Sequence, residues 1–227
     1  YGDPFSRYNK KIHVAKYFQW IEKRAMKAFD YISIPTESAR KSYLWLKPDK
    51  NIKIIPQGFN FDNINRAEYR PNQIPTFGYA GLFYQGIREP KVLLDYLSTR
   101  KEDFRFVIYT NTAALESMSC ILPYAELLKE KLVIHNNIPR LELITEFSKM
   151  DFLVNINNAT SNQIPSKLID YTLTGRPIFS FSQDKFEIEK FESFCHGDYS
   201  SFQTIDISAY NIKTVADQFE HLSSANQ

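Results

Sequence analysis

The sequence predicts an α/β protein, a Rossmann-like parallel sheet with helices on both faces. Three observations predict it. From residue 76 onward, short apolar segments alternate with longer amphipathic ones. Two of the short segments, Phe106-Val107-Ile108-Tyr109 and Phe152-Leu153-Val154, are almost wholly apolar, as strands covered on both faces must be. A glycine-bearing stretch, Gly78 to Gly86, leads from the short segment at 76–80 to the amphipathic one after it.

The elements follow in order. Residues 11–29 predict a helix, with Ile12, Ala15, Phe18, Trp20, Ile21, Ala25 and Phe29 forming its apolar face. Residues 31–35 read as a short strand, and Thr36 is placed to cap a helix running to Leu46. Residues 53–56 read as a second strand. Residues 60–74, rich in Asn, Arg and Pro, read as a linker. Beyond it, strands are expected at 76–80, 104–109, 132–135, 152–156 and 177–181. Helices are expected at 89–100, 113–130, 139–149, 166–174 and 211–222. Right-handed crossovers in such a sheet put ligands beyond the carboxyl ends of the strands. The loops 81–88, 110–113, 135–139 and 157–166 are therefore the ones to search.

Composition narrows the function. A formal net charge of +2 gives no global basic field, so nucleic acid is not an expected partner. Cys120 and Cys195 stand far apart and form no metal or redox motif, which fits two free thiols in a reducing compartment. No apolar run is long enough to span a bilayer, and no signal peptide is visible. The chain begins at Tyr1 rather than Met, as expected of a piece of something longer.

Chemistry concentrates in Pro165 to Ile178. A proline-ended loop leads into a short helix that stops at Gly175. Lys167 stands in its first turn and Asp170 three residues on, near the same face. A helix N-terminus with a lysine beside it can hold a phosphate, and a nearby carboxylate can accept hydrogen bonds from sugar hydroxyls. Taken alone, these residues also fit a solvated lysine, an ordinary helical aspartate and a plain glycine stop. In the loop after the first strand, Gly81 allows close backbone approach and Arg88 stands where a guanidinium could grip a phosphate. The glycine spacing there is not GxGxxG, so a dinucleotide site is not expected. The backbone of Ile138 is placed to meet a nucleobase edge, with His135 and two asparagines around it. Asn157 to Gln163 is a polar loop whose Asn and Ser side chains suit sugar hydroxyls or simply water. No ligand cluster has metal spacing, no Asp-x-Asp pair occurs, and no nucleophile elbow or convincing general base is found.

These residues, in this order, resemble the carboxy-terminal, donor-binding half of a GT-B glycosyltransferase of the group-1, family-4-like kind. Phe29 to Thr36 is similar to the family's segment closing its first domain. Lys53-Ile54-Ile55-Pro56-Gln57-Gly58-Phe59-Asn60 resembles its crossover, with Gln57 where Asn is usual. Phe77 to Gly81, Ile138 to Leu143 with Met150 to Val154, and Pro165 to Pro177 match its later motifs.

The resemblance implies a division into 1–58, the end of an acceptor-side domain, 59–74, a linker, and 75–227, a nucleotide-sugar-binding domain. It implies that Gly81, Tyr84 and the loop to Arg88 face a diphosphate, and that Lys167 and Arg88 stabilise it as a leaving group. Ile138 would hold the base. Ser166 and Asp170 would be donor contacts, Asp170 at the ribose. Asn162 falls among the donor-binding positions but stands where the family's E-x7-E motif has its first acid. The implied activity is metal-independent sugar transfer, of hexosyltransferase type, from a nucleotide-diphosphate sugar to a glycan or lipid-linked acceptor. No cofactor beyond the donor is expected. The remaining domain would supply the acceptor site and any peripheral membrane association, in the cytoplasm or at the cytoplasmic face of the membrane. This chain alone would be inactive. A nucleotide-sugar epimerase on the same fold and a non-catalytic nucleotide-sugar or glycan-binding module are the alternatives.

Overall fold

A computed structural model of the chain describes residues 16–157, 166–202 and 206–224. The chain divides into two compact units. The described parts of one lie within Tyr1–Phe61 and Ile207–Gln227, those of the other within Asp62–Ala159 and Pro165–Asp206.

The first unit holds helix α1 (Lys16–Met26) and two short parallel strands, β1 (Ile32–Ile34) and β2 (Ile52–Ile54), paired from Ile32 with Ile52 to Ile34 with Ile54. Ile32, Ile34, Tyr43, Leu46 and Ile52 form its core. The helix expected from Thr36 to Leu46 is instead a 3-10 segment, Glu37–Ser42, followed by turns. Arg40 explains the short element: it bridges Glu37 and Asp49, tying the segment to the approach of β2. The last helix, α8 (Ile212–Ser224), belongs to this unit and not with the sheet that precedes it in sequence. The Phe59 N–H donates to Tyr210 O at 2.7 Å and the Ile212 N–H to Phe59 O at 2.9 Å. Both tryptophans of the chain, Trp20 and Trp45, lie in this unit. None of the described helices is long and apolar enough to cross a membrane.

The second unit is a five-stranded parallel sheet. Its strands are β3 (Thr76–Ala80), β4 (Arg105–Thr110), β5 (Leu132–Asn136), β6 (Phe152–Ile156) and β7 (Ile178–Phe181). They lie in the order β5-β4-β3-β6-β7, so the chain builds outward in one direction and then reverses. The reversal places a topological switch point between β3 and β6, the crevice where such sheets bind ligands. Helices α2 (Lys91–Thr99), α3 (Leu115–Ser119), α4 (Leu122–Leu128) and α7 (Ile188–Cys195) serve one face, α5 (Arg140–Ser148) and α6 (Ser166–Leu173) the other.

The sheet interior is aromatic. Phe77 stacks on Phe106 and Phe152 at 5.0 and 4.9 Å between centroids, with Phe191 edge-on at 5.4 Å. On the opposite face Gly78 admits close packing. A Cβ there would come within 2.4 Å of Met150 Sδ and 2.9 Å of Phe147 Cε1. Gly78→Ala is therefore expected to destabilise the domain by about 1–3 kcal/mol through overpacking, read as a lower urea midpoint with an unchanged slope.

Two further corrections concern helices. The run expected at 113–130 breaks into α3 and α4, because Pro123 has no N–H for a continuous helix and Ile121 turns into the core at the break. Helix α7 is not expected from the sequence at all. Phe186-Glu187-Ile188-Glu189 alternates like a strand, and the helical spacing of Ile188, Phe191 and Phe194 emerges only beyond it. Both cysteines are buried and free, and burial pushes the Cys195 thiol up to about 12, so it is unreactive.

Residues 62–75 lie along the second unit as a hydrogen-bonded strap. Arg66 Nε donates to Leu173 O at 2.6 Å at the end of α6. Thr145 Oγ1 donates to Asn65 O and the Ala67 N–H to Ser148 Oγ, both at 2.8 Å. Asp151, just before β6, accepts from the Thr76 N–H at 2.7 Å, the Tyr69 hydroxyl at 2.8 Å, the Asn72 N–H at 3.1 Å and Asn72 Nδ2 at 3.2 Å. Arg176 lies over the Tyr69 ring and donates to Asp151 O.

Candidate phosphate-binding site at the switch point

Strands β3 and β6 pair only at Phe77 with Phe152 and Gly78 with Leu153, whereas β3 and β4 stay paired to Ala80. The cause is a side chain. Tyr171, on α6 and fully buried, accepts the Ala80 N–H on its hydroxyl at 2.7 Å. The amide that would continue the β3–β6 ladder is thereby satisfied from α6, and the two strands part at the switch point.

The loop after β3 is fixed next. The Gly81 N–H donates to Tyr109 O at 2.9 Å, with φ at +126°, a backbone conformation that side-chain-bearing residues rarely adopt. Phe83 is buried against Tyr79 at 4.5 Å between centroids, and its N–H donates to Ser117 Oγ. A tight hairpin follows. The Tyr84 N–H donates to Arg88 O at 3.0 Å and the Arg88 N–H to Tyr84 O at 2.9 Å, with Gly86 turning at φ +70°. The hairpin brings the Arg88 guanidinium back over the end of β3. A Cβ at residue 81 would sit 3.6 Å from the Tyr79 hydroxyl and 3.9 Å from Arg88 Nη1.

Lys167 enters from α6. Its Nζ lies 4.6 Å from the Tyr79 ring centroid, buried and with no hydrogen-bond partner among the described residues. Loss of water, with the Arg88 charge adding to it, pulls its pKa down to about 7. The Tyr79 phenol is itself pushed up by burial, with Arg88 opposing, and its hydroxyl donates to Leu82 O at 3.1 Å. The aromatic face gives the ammonium partial compensation, but among the described residues no negative charge neutralises it there.

The remaining expected residues fall as follows. Asp170 is engaged: Arg140 Nε, at the first residue of α5, meets its Oδ1 at 2.7 Å. Burial raises the Asp170 carboxyl and Arg140 opposes the rise. Ile138 lies in the loop between β5 and α5, half-buried against the core on the α5 and α6 face of the sheet. His135 is exposed and stacks on Tyr109 at 5.0 Å. Tyr84 is partly exposed at the hairpin base. Ser166 is the first residue of α6. Asn162 and most of the loop 157–166 lie outside the described residues. The structure thus brings Lys167, Arg88 and Gly81 together around Tyr79 and turns Asp170 toward Arg140. Sequence reasoning missed Tyr79, Tyr171 and Arg140. Only Tyr171 left a usable signal, since it stands one helical turn after Lys167 on the same face.

Among the described residues, one other cluster has ligand-type side chains, Glu102, Glu192 and His196. Arg100 already occupies it, 2.6 Å from Glu102 and 2.8 Å from Glu192, and the Tyr96 hydroxyl donates to Glu192 at 2.6 Å. It is a salt-bridge network in which a cation would face a guanidinium.

No protein-family model matches this chain, and no curated protein sequence does. Solved structures do. A glycosyltransferase from Rickettsia africae superposes with a TM-score of 0.64 at 11% identity, over 92% of this chain and 66% of that one. HepE from Anabaena, in complex with UDP-glucose, gives 0.57 at 9% identity, over 91% and 69%. TarM from S. aureus, in complex with fondaparinux, alpha-GlcNAc-glycerol and UDP, gives 0.59 at 13% identity, over 97% and 49%. The chain spans about half to two thirds of the length of these proteins. At such identities the likeness is one of fold, and the fold is that of GT-B glycosyltransferases.

Proposed function

We propose that this chain is the donor-binding portion of a metal-independent glycosyltransferase. It binds a nucleoside diphosphate sugar at the switch point, and the sugar passes to a glycan or lipid-linked acceptor held by a further domain. The observation that carries this reading is the convergence of the Lys167 ammonium and the Arg88 guanidinium beside Gly81, with the ammonium buried and not neutralised. A buried ammonium beside a guanidinium is unfavourable, and an anion with two charged oxygens lying between them relieves it. A pyrophosphate meets that requirement. It also lies where the positive N-terminal end of α6 faces it.

The chemistry follows from charge. When the glycosidic bond to the donor breaks, negative charge develops on the departing diphosphate. Arg88 offers a fixed guanidinium and Lys167 an ammonium in a water-poor setting, both stabilising that charge more than the ground state. Gly81 lets the backbone approach without a side chain intervening. Ile138 meets the base, and Asp170 meets the ribose on exchanging its Arg140 contact. Structures of similar fold carry UDP or UDP-glucose, which supports the ligand class. Nucleotide sugars are cytoplasmic metabolites, so the reading places the reaction in the cytoplasm or at its membrane face.

The test is calorimetric titration with UDP and GDP between pH 5.5 and 9. Lys167 sits near 7 when the site is empty, and a bound anion holds it protonated, so binding takes up a proton. Affinity is expected to fall by up to tenfold per unit as pH rises above about 7, and to fall again below about 6 as the nucleotide's terminal phosphate protonates. Buffers of differing ionisation enthalpy read the proton uptake directly. No heat from either nucleotide at any pH, with intact fold, removes the reading.

A further inference from the structure

Lys167 and Tyr171 stand four residues apart on α6, and each touches the end of β3. Tyr171 holds the Ala80 N–H at 2.7 Å, and Lys167 covers the ring of Tyr79, the residue before Ala80. The two contacts fix both the height and the rotation of α6 against the strand. The Tyr171 hydroxyl also lies 3.5 Å from Ala80 O, so it addresses both polar groups of that residue. Its ring is held edge-on by Phe147 at 5.5 Å. Its own main chain is fixed below, where Thr174 Oγ1 donates to Tyr171 O at 2.6 Å.

We propose that Tyr171 is a positioning residue for Lys167: its hydroxyl holds β3 and β6 apart and seats α6 so that the ammonium lies over Tyr79 beside Arg88. Without the hydroxyl, the Ala80 N–H is left to seek a carbonyl of β6. The gap closes, and the first turn of α6 moves outward. Lys167 then gains water and distance from Arg88. The inference rests on the donor-site reading for its importance, but its test needs no nucleotide. Among the described residues, the groups that face Lys167 are Arg88 on the hairpin and Tyr79 on β3; Tyr171 lies beside Tyr79, and Asp170 on α6 is paired with Arg140 on α5. None but Tyr171 is altered.

The experiment is an NMR titration of protein labelled at lysine with 13C and 15N, from pH 5.5 to 11. Lys167 is assigned by its absence in Lys167→Met. In wild type the midpoint is expected near 7. In Tyr171→Phe it moves up by one pH unit or more, toward an ordinary lysine. Ser148→Ala removes the acceptor of the Ala67 N–H on α5 and serves as a destabilised control that leaves the midpoint in place. 4-Fluorophenylalanine at 171 fills the space of the hydroxyl with a poor acceptor and is expected to raise the midpoint as phenylalanine does. This last variant also keeps the test alive should phenylalanine not fold. An unchanged midpoint in Tyr171→Phe, or equal shifts in Tyr171→Phe and Ser148→Ala, overturns the proposal. A shifted midpoint in a protein that binds no nucleotide leaves the positioning role standing and removes the donor-site reading instead.

Discussion

Lys167→Met is expected to raise the melting temperature of the ligand-free protein at pH 6.5 and to abolish its response to UDP. The sign follows from linkage. An unfolded lysine titrates near 10.4, whereas Lys167 in the folded chain titrates near 7. Below pH 7 both states carry the proton, and the folded state bears the full desolvation of a buried cation. As pH rises from 7 to 10 the folded chain releases the proton and the unfolded chain keeps it, so wild-type stability climbs across that window. Methionine has nothing to desolvate and fills a similar volume. Its advantage should be about 2–4 kcal/mol below pH 7, roughly 5–15 °C in melting temperature, and should shrink toward zero near pH 10. The same exchange removes one charged contact to the diphosphate, worth about 2–3 kcal/mol, or on the order of a hundredfold in affinity. Melting curves at pH 6.5 and 9.5, with and without UDP, decide it. A variant that melts lower than wild type at pH 6.5 contradicts the buried, unneutralised ammonium. Such opposition between stability and binding marks a residue kept for its ligand.

Asp151→Ala should do the reverse, lowering stability while leaving the phosphate site chemically intact. Asp151 is buried and collects four donors at the opposite ends of the strands from the switch point. Alanine leaves the Thr76 N–H without its acceptor at the start of β3 and frees the strap at Tyr69 and Asn72. The expected loss is about 3–5 kcal/mol, roughly 6–15 °C in melting temperature. Asp151→Asn keeps one carbonyl oxygen and should lose about half as much. A fall of under 2 °C for the alanine variant would show that the four contacts do not hold the strap.

The sheet was legible because each strand carries its own apolar signal, and the chain order of strands and helices forces a parallel sheet. Its site was legible only in part. Lys167, Arg88 and Gly81 could be named because a helix start, a hairpin end and a glycine turn are local features. Their meeting on Tyr79 was not visible, since a tyrosine in an apolar strand reads as core. Nor was the Asp170–Arg140 pair, which joins two helices thirty residues apart. The strap at 62–75 read as a linker because it has few apolar side chains, yet it is held by hydrogen bonds, which leave no hydrophobic periodicity. Helix α7 was lost for a related reason: the alternation Phe186-Glu187-Ile188-Glu189 mimics a strand across the start of the helix.

The placement of both indole side chains in the first unit gives the protein a built-in reporter. Trp20 is exposed and Trp45 half-covered, while the five-stranded unit contains tyrosine and phenylalanine only. Selective excitation of indole emission therefore follows the first unit alone, whereas near-ultraviolet dichroism from tyrosine is weighted to the second. Two transitions recorded together on one sample would separate the cooperative loss of each unit without cutting the chain, and would assign every substitution above to the unit it perturbs.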